Sequence, residues 1–294
     1  MTAKIETLVD DIYKALEEGV EDNDATEFGR VMGDILEGRL LVEDGPGRKS
    51  RVWFSNVGGP CVRKLWYKLH HPDLSEPLRP ATRLKFLYGD LVEGLLLDLA
   101  RKSGHSVQYE QERLEHDGIS GRIDAVIDGV LCDVKSASSF SFKKFKGGLD
   151  RADDGFGYLG QLGGYLHAVR ETRPDVECDP NRAAFLVVDK VTGSICLDIH
   201  QYTDEELREI GSSNTHNKLL AEGEERPERS FEPVADGKSG NQKLAMQCGY
   251  CDFKSTCWPG LRTFLYSDKP RFLTHVERVP DVYEVPQGEA VPDE

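Results

Sequence analysis

The chain lacks the features that mark membrane proteins and proteins that coat nucleic acid. No apolar run approaches the ~20 residues that a transmembrane helix needs, so no membrane association is expected. Basic residues are in deficit, with 37 Lys and Arg against 52 Asp and Glu and a formal net charge of −15. Bulk positive charge therefore cannot drive binding to nucleic acid. There is no internal repeat and no Walker A motif, so a nucleotide-driven motor is not expected.

The N-terminal sequence and the cysteines indicate a cytoplasmic protein. The opening residues, MTAKIETLVDDIYKALEEG, are acidic and amphipathic, unlike a secretory signal. Seven cysteines in such a chain are not expected to form a disulfide framework. Cys132, Cys178 and Cys196 have apolar or strand-like neighbours and are predicted to be ordinary buried thiols. The other four form a separate motif, described below.

Hydrophobic periodicity predicts an α/β fold with a mixed sheet. The 294 residues suffice for one large domain, or for one domain with appendages. Helices are predicted over 5–20, 25–42, 60–70, 83–103, 140–147, 157–170 and 203–221. Strands are predicted over 106–115, 119–128, 130–135, 182–190 and 193–202. Thr203 and Glu206 have the spacing of a capping box at the start of the last helix.

The stretch GRIDAVIDGVLCDVK, residues 121–135, contains the first candidate site. Its apolar residues alternate with polar ones up to Asp128–Gly129, a dipeptide typical of a tight hairpin turn, and VLCDV follows directly. Such a hairpin would bring Asp124 and Asp133 side by side, and adjacent carboxylates repel each other, more so when buried. A divalent metal ion, a shared proton or Lys135 would have to compensate.

Carboxylates that hold a metal beside a lysine suggest hydrolysis of a phosphate ester. The structural alternative is that each aspartate is solvated, because a single Asp on a strand usually is and Asp-x-Lys is a common triplet. The longer spacing Asp-x8-Asp-x-Lys favours the metal site, but the rest of the chain has to decide between them.

A second constellation lies near the C-terminus. Cys248, Cys251 and Cys257 have the spacing C-x2-C-x5-C. Three thiolates are one short of the four that a zinc ion or an iron–sulfur cluster normally takes. Cys61, 187 residues before Cys248 and at the start of a short basic helix, is the candidate fourth ligand. The alternatives are zinc bound by the trio and a nearby histidine, or no metal; spacing alone favours zinc and iron–sulfur equally.

A cysteine before Asp-x8-Asp-x-Lys and C-x2-C-x5-C after it resemble the RecB-type iron–sulfur nucleases of the PD-(D/E)XK superfamily. This branch includes the CRISPR-associated RecB-like exonucleases, the AddB-type nuclease subunits and related phage exonucleases. The resemblance covers about residues 53–260. It implies a restriction-endonuclease-like core with a mixed central sheet flanked by helices. It also implies a 4Fe–4S cluster that staples the N- and C-terminal segments, with the ligands Cys61, Cys248, Cys251 and Cys257.

The resemblance also gives the predicted domains. They are an N-terminal helical segment (1–50), a nuclease domain with the iron–sulfur staple (51–265) and an acidic C-terminal tail (266–294).

Three further motifs match this family and one departs from it. G-x-x-D is matched by Gly121–Asp124, (D/E)-x-K by Asp133–Lys135 and Q-x-x-x-Y by Gln161–Tyr165. Where the family usually has G-x-x-x-H, this chain has Gly89-Asp-Leu-Val-Glu93. Glutamate is an oxygen ligand that suits magnesium or manganese. The alternative is that Glu93 is solvated and the site is weakened.

The resemblance assigns roles to these residues. The metal ligands for Mg²⁺ or Mn²⁺ would be Glu93, Asp124, Asp133 and the carbonyl of Val134. Lys135 would orient or deprotonate the attacking water, and Gln161 and Tyr165 would fix Lys135 or a phosphate, unless they only pack. The lysines Lys143, Lys144 and Lys146 alternate with Phe140, Phe142 and Phe145. They would meet backbone phosphates or form a solvated face, and aromatics among lysines can stack unpaired bases.

The implied function is a Mg/Mn-dependent deoxyribonuclease, more an exonuclease than an endonuclease, acting on single-stranded DNA or DNA ends. It would work in the cytoplasm of a bacterial or phage-infected cell, in phage DNA recombination or degradation or in CRISPR adaptation, with protein partners there. Two alternatives stay open: a catalytically weak DNA-binding protein of the same fold, and a zinc-stapled nucleic-acid-binding protein.

Overall fold

The computed structural model describes residues 4–19, 25–40, 51–78, 80–267 and 269–286. Parts of the predicted N-terminal segment and the end of the predicted tail lie outside these ranges. The α-helices are α1 (Leu8–Glu18), α2 (Ala25–Leu40), α3 (Phe54–Val57), α4 (Val62–His70), α5 (Pro80–Lys102), α6 (Ser139–Lys146), α7 (Tyr158–Thr172), α8 (Asp204–Glu222), α9 (Met246–Gly249) and α10 (Lys254–Cys257).

The strands are β1 (Val107–Gln108), β2 (Arg113–His116), β3 (Ile119–Arg122), β4 (Ala125–Ile127), β5 (Val130–Ala137), β6 (Arg182–Asp189), β7 (Ile195–Gln201), β8 (Val234–Ala235), β9 (Gln242–Lys243), β10 (Arg262–Leu265), β11 (Pro270–His275) and β12 (Glu284–Val285). Strands β11 and β12 lie within the segment predicted as an acidic tail.

The chain forms two compact units, each built from two separate segments. The first unit comprises Met1–Gly59 and Leu84–Lys218, and the second comprises Pro60–Arg83 and Leu219–Glu294. All the carboxylates of the candidate metal site belong to the first unit, and all four cysteines of the predicted staple belong to the second.

The central sheet of the first unit has the order β1-β4-β5-β6-β7. Strands β5 and β6 are parallel, whereas the other neighbours are antiparallel. Because parallel strands need a crossover connection, helices α6 and α7 lie between β5 and β6 in sequence. The prediction of an α/β fold with a mixed sheet flanked by helices is therefore confirmed.

The two faces of β5 are covered by different helices. Cys132 and Val134 face a buried apolar cluster to which α1 contributes Leu8 and Ile12, and α5 contributes Leu96, Leu97 and Ala100. Asp133, one residue out of phase, pairs in register with Phe185 of β6. Phe145 of α6 packs on Phe185, with ring centroids 5.2 Å apart. Strand alternation thus turns Asp133 away from the α1/α5 core and towards the side covered by α6.

The hairpin between β4 and β5 is confirmed, but the single strand predicted over 119–128 is wrong. Asp128 and Gly129 form the turn with φ angles of 48° and 77°. Before it, the chain makes two short strands in different sheets: β3 pairs with β2, and β4 pairs with β5. The break follows from a contact outside the hairpin, since the Ile123 N–H donates to the Glu112 carbonyl instead of joining the β5 ladder.

The second unit carries a separate antiparallel sheet, in the order β12-β10-β11-β9-β8. Beside it, Trp66 and Tyr67 of α4 pack with Phe253 in a small buried cluster that Cys251 and Cys257 flank. Within the ranges that the structure describes, no helix is long and apolar enough to span a bilayer.

Candidate active site

Asp124 lies at the break between β3 and β4, and its side chain serves β5 as a hydrogen-bond partner where the β4 backbone no longer does. The last residue pair of the β4–β5 ladder is Ala125 with Cys132. Beyond it, the N–H of Val134 donates to Asp124 Oδ2 at 2.7 Å instead of to a backbone carbonyl. The N–H and C=O of one strand residue point to the same edge, so the Val134 carbonyl also faces Asp124. The strand break therefore gathers a carboxylate and a backbone oxygen at one place.

Asp133 and Lys135 lie on the same face of β5 because they are two residues apart. Asp133 is only 5% exposed, and its Oδ2 forms a close ion pair with Lys135 Nζ. That oxygen has no hydrogen-bond donor beyond this pair. Asp133 is buried and Lys135 is half-buried. Desolvation would lower the pKa of Lys135, but the charges of Asp133 and Asp124 outweigh it and raise that pKa. Lys135 is thus held as an ammonium ion.

Helix α5 brings Glu93 to the same carboxylates. Glu93 is half-buried and accepts a hydrogen bond from Gln111 Nε2. Burial, followed by the charges of Asp90 and Asp133, raises its pKa to about 7. Glu93 is therefore not a freely solvated helix residue, and the solvated alternative is not supported.

Asp124 completes the group of acids. Its pKa is raised well above the usual range, first by burial and then by the charges of Asp133 and Glu93. Lys135 and the Val134 N–H counteract only part of this effect. Three carboxyl groups thus face one ammonium group, and the raised pKa values mean that ionising all three is unfavourable without further positive charge.

This donor set fits a hard divalent cation, because carboxylate and carbonyl oxygens are the ligands that magnesium and manganese prefer. In the part of the chain that the structure describes, however, no three histidine, cysteine or acidic side chains are spaced to hold a metal ion together. Lys135 already forms an ion pair with Asp133, so a divalent cation would have to compete with the lysine for this carboxylate. The carboxylates are therefore grouped, but they are not arranged as a finished ligand set.

Helix α7 supplies Gln161 and Tyr165 to the edge of this group. Burial, followed by the charges of Asp133 and Asp124, raises the pKa of Tyr165 to about 12, and a hydrogen bond with Gln161 opposes the shift. The Tyr165 ring packs on Phe54 at a centroid distance of 5.3 Å. Tyr165 therefore lies close enough to Asp133 and Asp124 to be affected by their charges, and Gln161 reaches this edge of the site through its hydrogen bond with Tyr165.

Tyr158 is a further site residue that the sequence reasoning missed. It is the first residue of α7, and its ring centroid lies 5.7 Å from Lys135 Nζ. Burial raises its pKa, and the Lys135 charge opposes that shift. A signal was present, because Tyr158 lies three and seven residues before Gln161 and Tyr165 and so shares their helix face.

The four cysteines of the motif lie near one another in the second unit. Cys61 is the residue before α4, and Cys248 lies in α9. Cys251 lies three residues before α10, and Cys257 is the last residue of α10. Burial raises the pKa of Cys248 to about 11, and the charges of Cys61, Cys251 and Cys257 add to this effect. The fold thus brings Cys61 near the C-terminal trio, although the described residues contain no group spaced as metal ligands.

Comparisons with known proteins identify the family. The family model for the PD-(D/E)XK nuclease superfamily matches residues 16–258. Among curated proteins no match was found. Among solved structures, SSO0001 has 16% identity and a TM-score of 0.44, with 79% of this chain and 96% of that chain covered.

Two exonucleases are also similar in structure. An alkaline exonuclease from Laribacter hongkongensis has 13% identity and a TM-score of 0.36, with 60% of this chain and 89% of that chain covered. A phage-related exonuclease from Haemophilus somnus 129PT has 14% identity and a TM-score of 0.26, with 76% and 96% covered. Because these identities and TM-scores are low, the assignment depends on the family model, which spans most of the chain. The chain belongs to the PD-(D/E)XK nuclease superfamily.

Proposed function

We propose that the protein is a divalent-metal-dependent deoxyribonuclease whose chemistry takes place at Asp124, Asp133 and Lys135. The observation that carries this proposal is the group of three carboxylates beside a single lysine, in which Asp133 is buried and the other two acids are half-buried. In a nuclease superfamily, such a group suits phosphodiester hydrolysis once a divalent cation supplies the positive charge that balances the carboxylates. The resemblance of its motifs to RecB-type enzymes favours an exonuclease that acts on single strands or DNA ends.

Glu93, Asp124, Asp133 and the Val134 carbonyl would hold Mg²⁺ or Mn²⁺. When bound, such an ion polarises a phosphate oxygen and lowers the pKa of water. Asp124 also fixes the Val134 peptide through its hydrogen bond, so the carboxylate and the carbonyl keep one geometry.

Lys135 would place its ammonium beside the scissile phosphate. The charge of that ammonium would balance the negative charge that develops on the phosphate as the bond breaks. The Tyr158 ring would hold the ammonium in position through the cation–π contact. Gln161 and Tyr165 would bound the site on the α7 side and fix a phosphate oxygen by hydrogen bonds.

The decisive experiment is a digest of end-labelled single-stranded and duplex DNA, linear and circular, with magnesium, with manganese and with a chelator. The wild-type protein is expected to degrade DNA only with a divalent ion, and to spare circles if it is an exonuclease. Lys135→Ala and Asp124→Ala are expected to lose at least ~100-fold in rate, since each removes charge that acts in the transition state. Lys14→Ala, an exposed lysine of α1, is the matched control and should keep full activity. Full cleavage by either site variant would exclude the assignment.

We also propose that Cys61, Cys248, Cys251 and Cys257 hold a 4Fe–4S cluster. The support is their approach in the second unit, their spacing and the motif resemblance. Such a cluster would tie together two segments that are distant in sequence, which is a structural role.

This second proposal has its own test. Anaerobically purified protein should be brown and should contain iron and acid-labile sulfide. Cys248→Ser should lose the colour and the cofactor, whereas Cys178→Ser, outside the motif, should keep both. Colourless protein that contains stoichiometric zinc would replace the iron–sulfur proposal by a zinc site.

A further inference from the structure

Helix α6 displays one aromatic side chain to solvent. Phe142 and Phe145 are buried against the central sheet, whereas Phe140 is 72% exposed. Residues two positions apart on a helix are rotated by about 200° around its axis. Phe140 therefore points away from the face on which Phe142 is buried. So exposed a phenylalanine gains little from the core, and one face of its ring is open to a ligand, since Lys144 lies over the other.

The surroundings of this ring are basic, in a chain that is acidic overall. Helix α6 has the sequence SFSFKKFK, with three lysines and no acid. Lys144 Nζ lies 5.4 Å from the Phe140 ring centroid, and it also pairs with Asp153 at 3.3 Å. Lys143 and Lys146 are exposed. Since the whole chain carries −15, this concentration of positive charge is a local feature.

The same surface continues on the turn between β6 and β7. The Lys190 N–H donates to the carbonyl of Ala137, the last residue of β5, at 3.0 Å. Val191, the next residue, is 75% exposed. Ser139 Oγ donates to Asp189 Oδ1 at 3.1 Å and joins the first turn of α6 to this turn. The turn between β6 and β7, with Lys190 and the exposed Val191, therefore adjoins α6 at the end of β5.

This surface is also near the chemistry. Phe140 follows Lys135 by five residues, so their Cα atoms are at most ~18 Å apart. A polynucleotide whose phosphate lies at Lys135 would reach Phe140 within a few nucleotides.

We infer that Phe140 stacks on an unpaired base of single-stranded DNA while Lys143, Lys146 and Lys190 contact the adjacent phosphates. The inference depends on the proposed nuclease function and supplies its strand preference. Stacking needs an accessible base face, which a single strand offers and a duplex hides. Aromatic rings among lysines give this kind of binding without sequence specificity.

The test measures binding without chemistry. Full-length protein in a chelator is titrated into a fluorescein-labelled 20-nucleotide strand, and into the matching duplex, with fluorescence anisotropy as the readout. A strand containing 2-aminopurine reports stacking directly through quenching. Phe140→Ala should weaken single-strand binding about 5- to 150-fold and should abolish the quenching. Phe140→Trp should restore both, and duplex binding should change less than about 2-fold.

The matched control is Leu16→Ala, which truncates an exposed apolar side chain on α1, the helix that packs on the opposite face of the sheet. It should bind like the wild type. The inference fails if Phe140→Ala binds single strands normally, if it weakens single strands and duplex equally, or if it dissociates a dimer seen by light scattering. The two proposals fail separately. Phe140-dependent binding without metal-dependent cleavage would reject the nuclease, whereas cleavage unaffected by Phe140→Ala would reject only the stacking role.

Discussion

At the scale of single residues, the G-x-x-D motif has a packing role as well as a chemical one. A Cβ atom on Gly121 would lie 2.6 Å from Tyr165 Cε1 and 2.8 Å from Phe54 Cδ2. The glycine therefore lets the α7 tyrosine approach the strand that leads to Asp124. The motif shows that a glycine is expected at position 121. The physical reason for the glycine is a contact between segments that are distant in sequence.

Gly121→Ala should consequently be destabilised by about 1–3 kcal/mol, because overpacking displaces the two rings. Chemical denaturation followed by circular dichroism measures the loss. Gly33→Ala on α2, where a Cβ would meet nothing within 4 Å, is the control. It should be neutral or stabilised by up to ~1 kcal/mol. Equal stability of Gly121→Ala and the wild type would show that the two rings are not tightly held.

Glu93 illustrates a conflict between stability and function. In the absence of metal its carboxylate is repelled by Asp90 and Asp133. Glu93→Gln removes that charge while it keeps the shape and an acceptor for Gln111. With a chelator at neutral pH, the variant should be more stable by about 0.5–2 kcal/mol, yet metal-dependent cleavage should fall. Thermal unfolding and the end-label digest test the two halves, and full activity would remove Glu93 from the ligand set.

At the scale of elements, the sequence predicted the hairpin but not the strand break beside it. Asp128–Gly129 is a local turn signal, so the β4–β5 pairing followed from neighbouring residues. The end of β3 depends instead on Glu112 and Val134, which lie elsewhere in the chain, and alternation continues through the break. Strands β8, β9 and β12 have two residues each, too few for any period to be read. Tyr158 was missed because its partner Lys135 lies on another element.

Helix α1 is joined to the hairpin through His105. This buried ring places Nδ1 2.6 Å from Asp128 Oδ2 and Nε2 3.2 Å from Asp11 Oδ2. His105→Ala would leave the Asp128 carboxylate without this partner, at a cost of about 1–3 kcal/mol. Hydrogen exchange should show faster exchange in α1 than in the wild type. His275→Ala, an exposed histidine of β11, should leave α1 unchanged. Unaltered protection of α1 in His105→Ala would mean that apolar packing alone holds this helix.

At the scale of the whole molecule, the sequence indicated the superfamily. The structure groups the carboxylates within the first unit and brings Cys61 near the C-terminal cysteines within the second. The mixed sheet followed from the alternation of strand and helix patterns. The second antiparallel sheet was not predicted, because its strands are short and separated by loops without periodicity. The residue pattern alone did not decide between a metal and Lys135 as the partner of Asp133, and in the structure Asp133 pairs with Lys135.

Metal binding should stabilise the folded protein, because ions that bind only the native state shift unfolding by mass action. At a concentration 100 times the Kd, the gain is about 2.7 kcal/mol. Titration of MgCl2 or MnCl2 during thermal unfolding should raise the Tm of the wild type. Asp133→Asn should not respond, whereas Asp153→Asn, an exposed carboxylate, should respond normally. A wild-type Tm indifferent to both ions would contradict the metal site without reference to activity.

The discontinuous second unit has a consequence for synthesis on the ribosome. Pro60–Arg83 is made before the 135 residues from Leu84 to Lys218, and only then does its partner segment, which starts at Leu219, emerge. At about 5–20 residues per second, this interval is roughly 7–27 s. During it, Trp66 and Tyr67 cannot reach Phe253, which is still to be translated. The nascent chain therefore exposes the aromatic side chains of α4, and Cys61 beside it, for seconds. Chaperone binding would protect the chain in this period, and loss of that binding would favour aggregation.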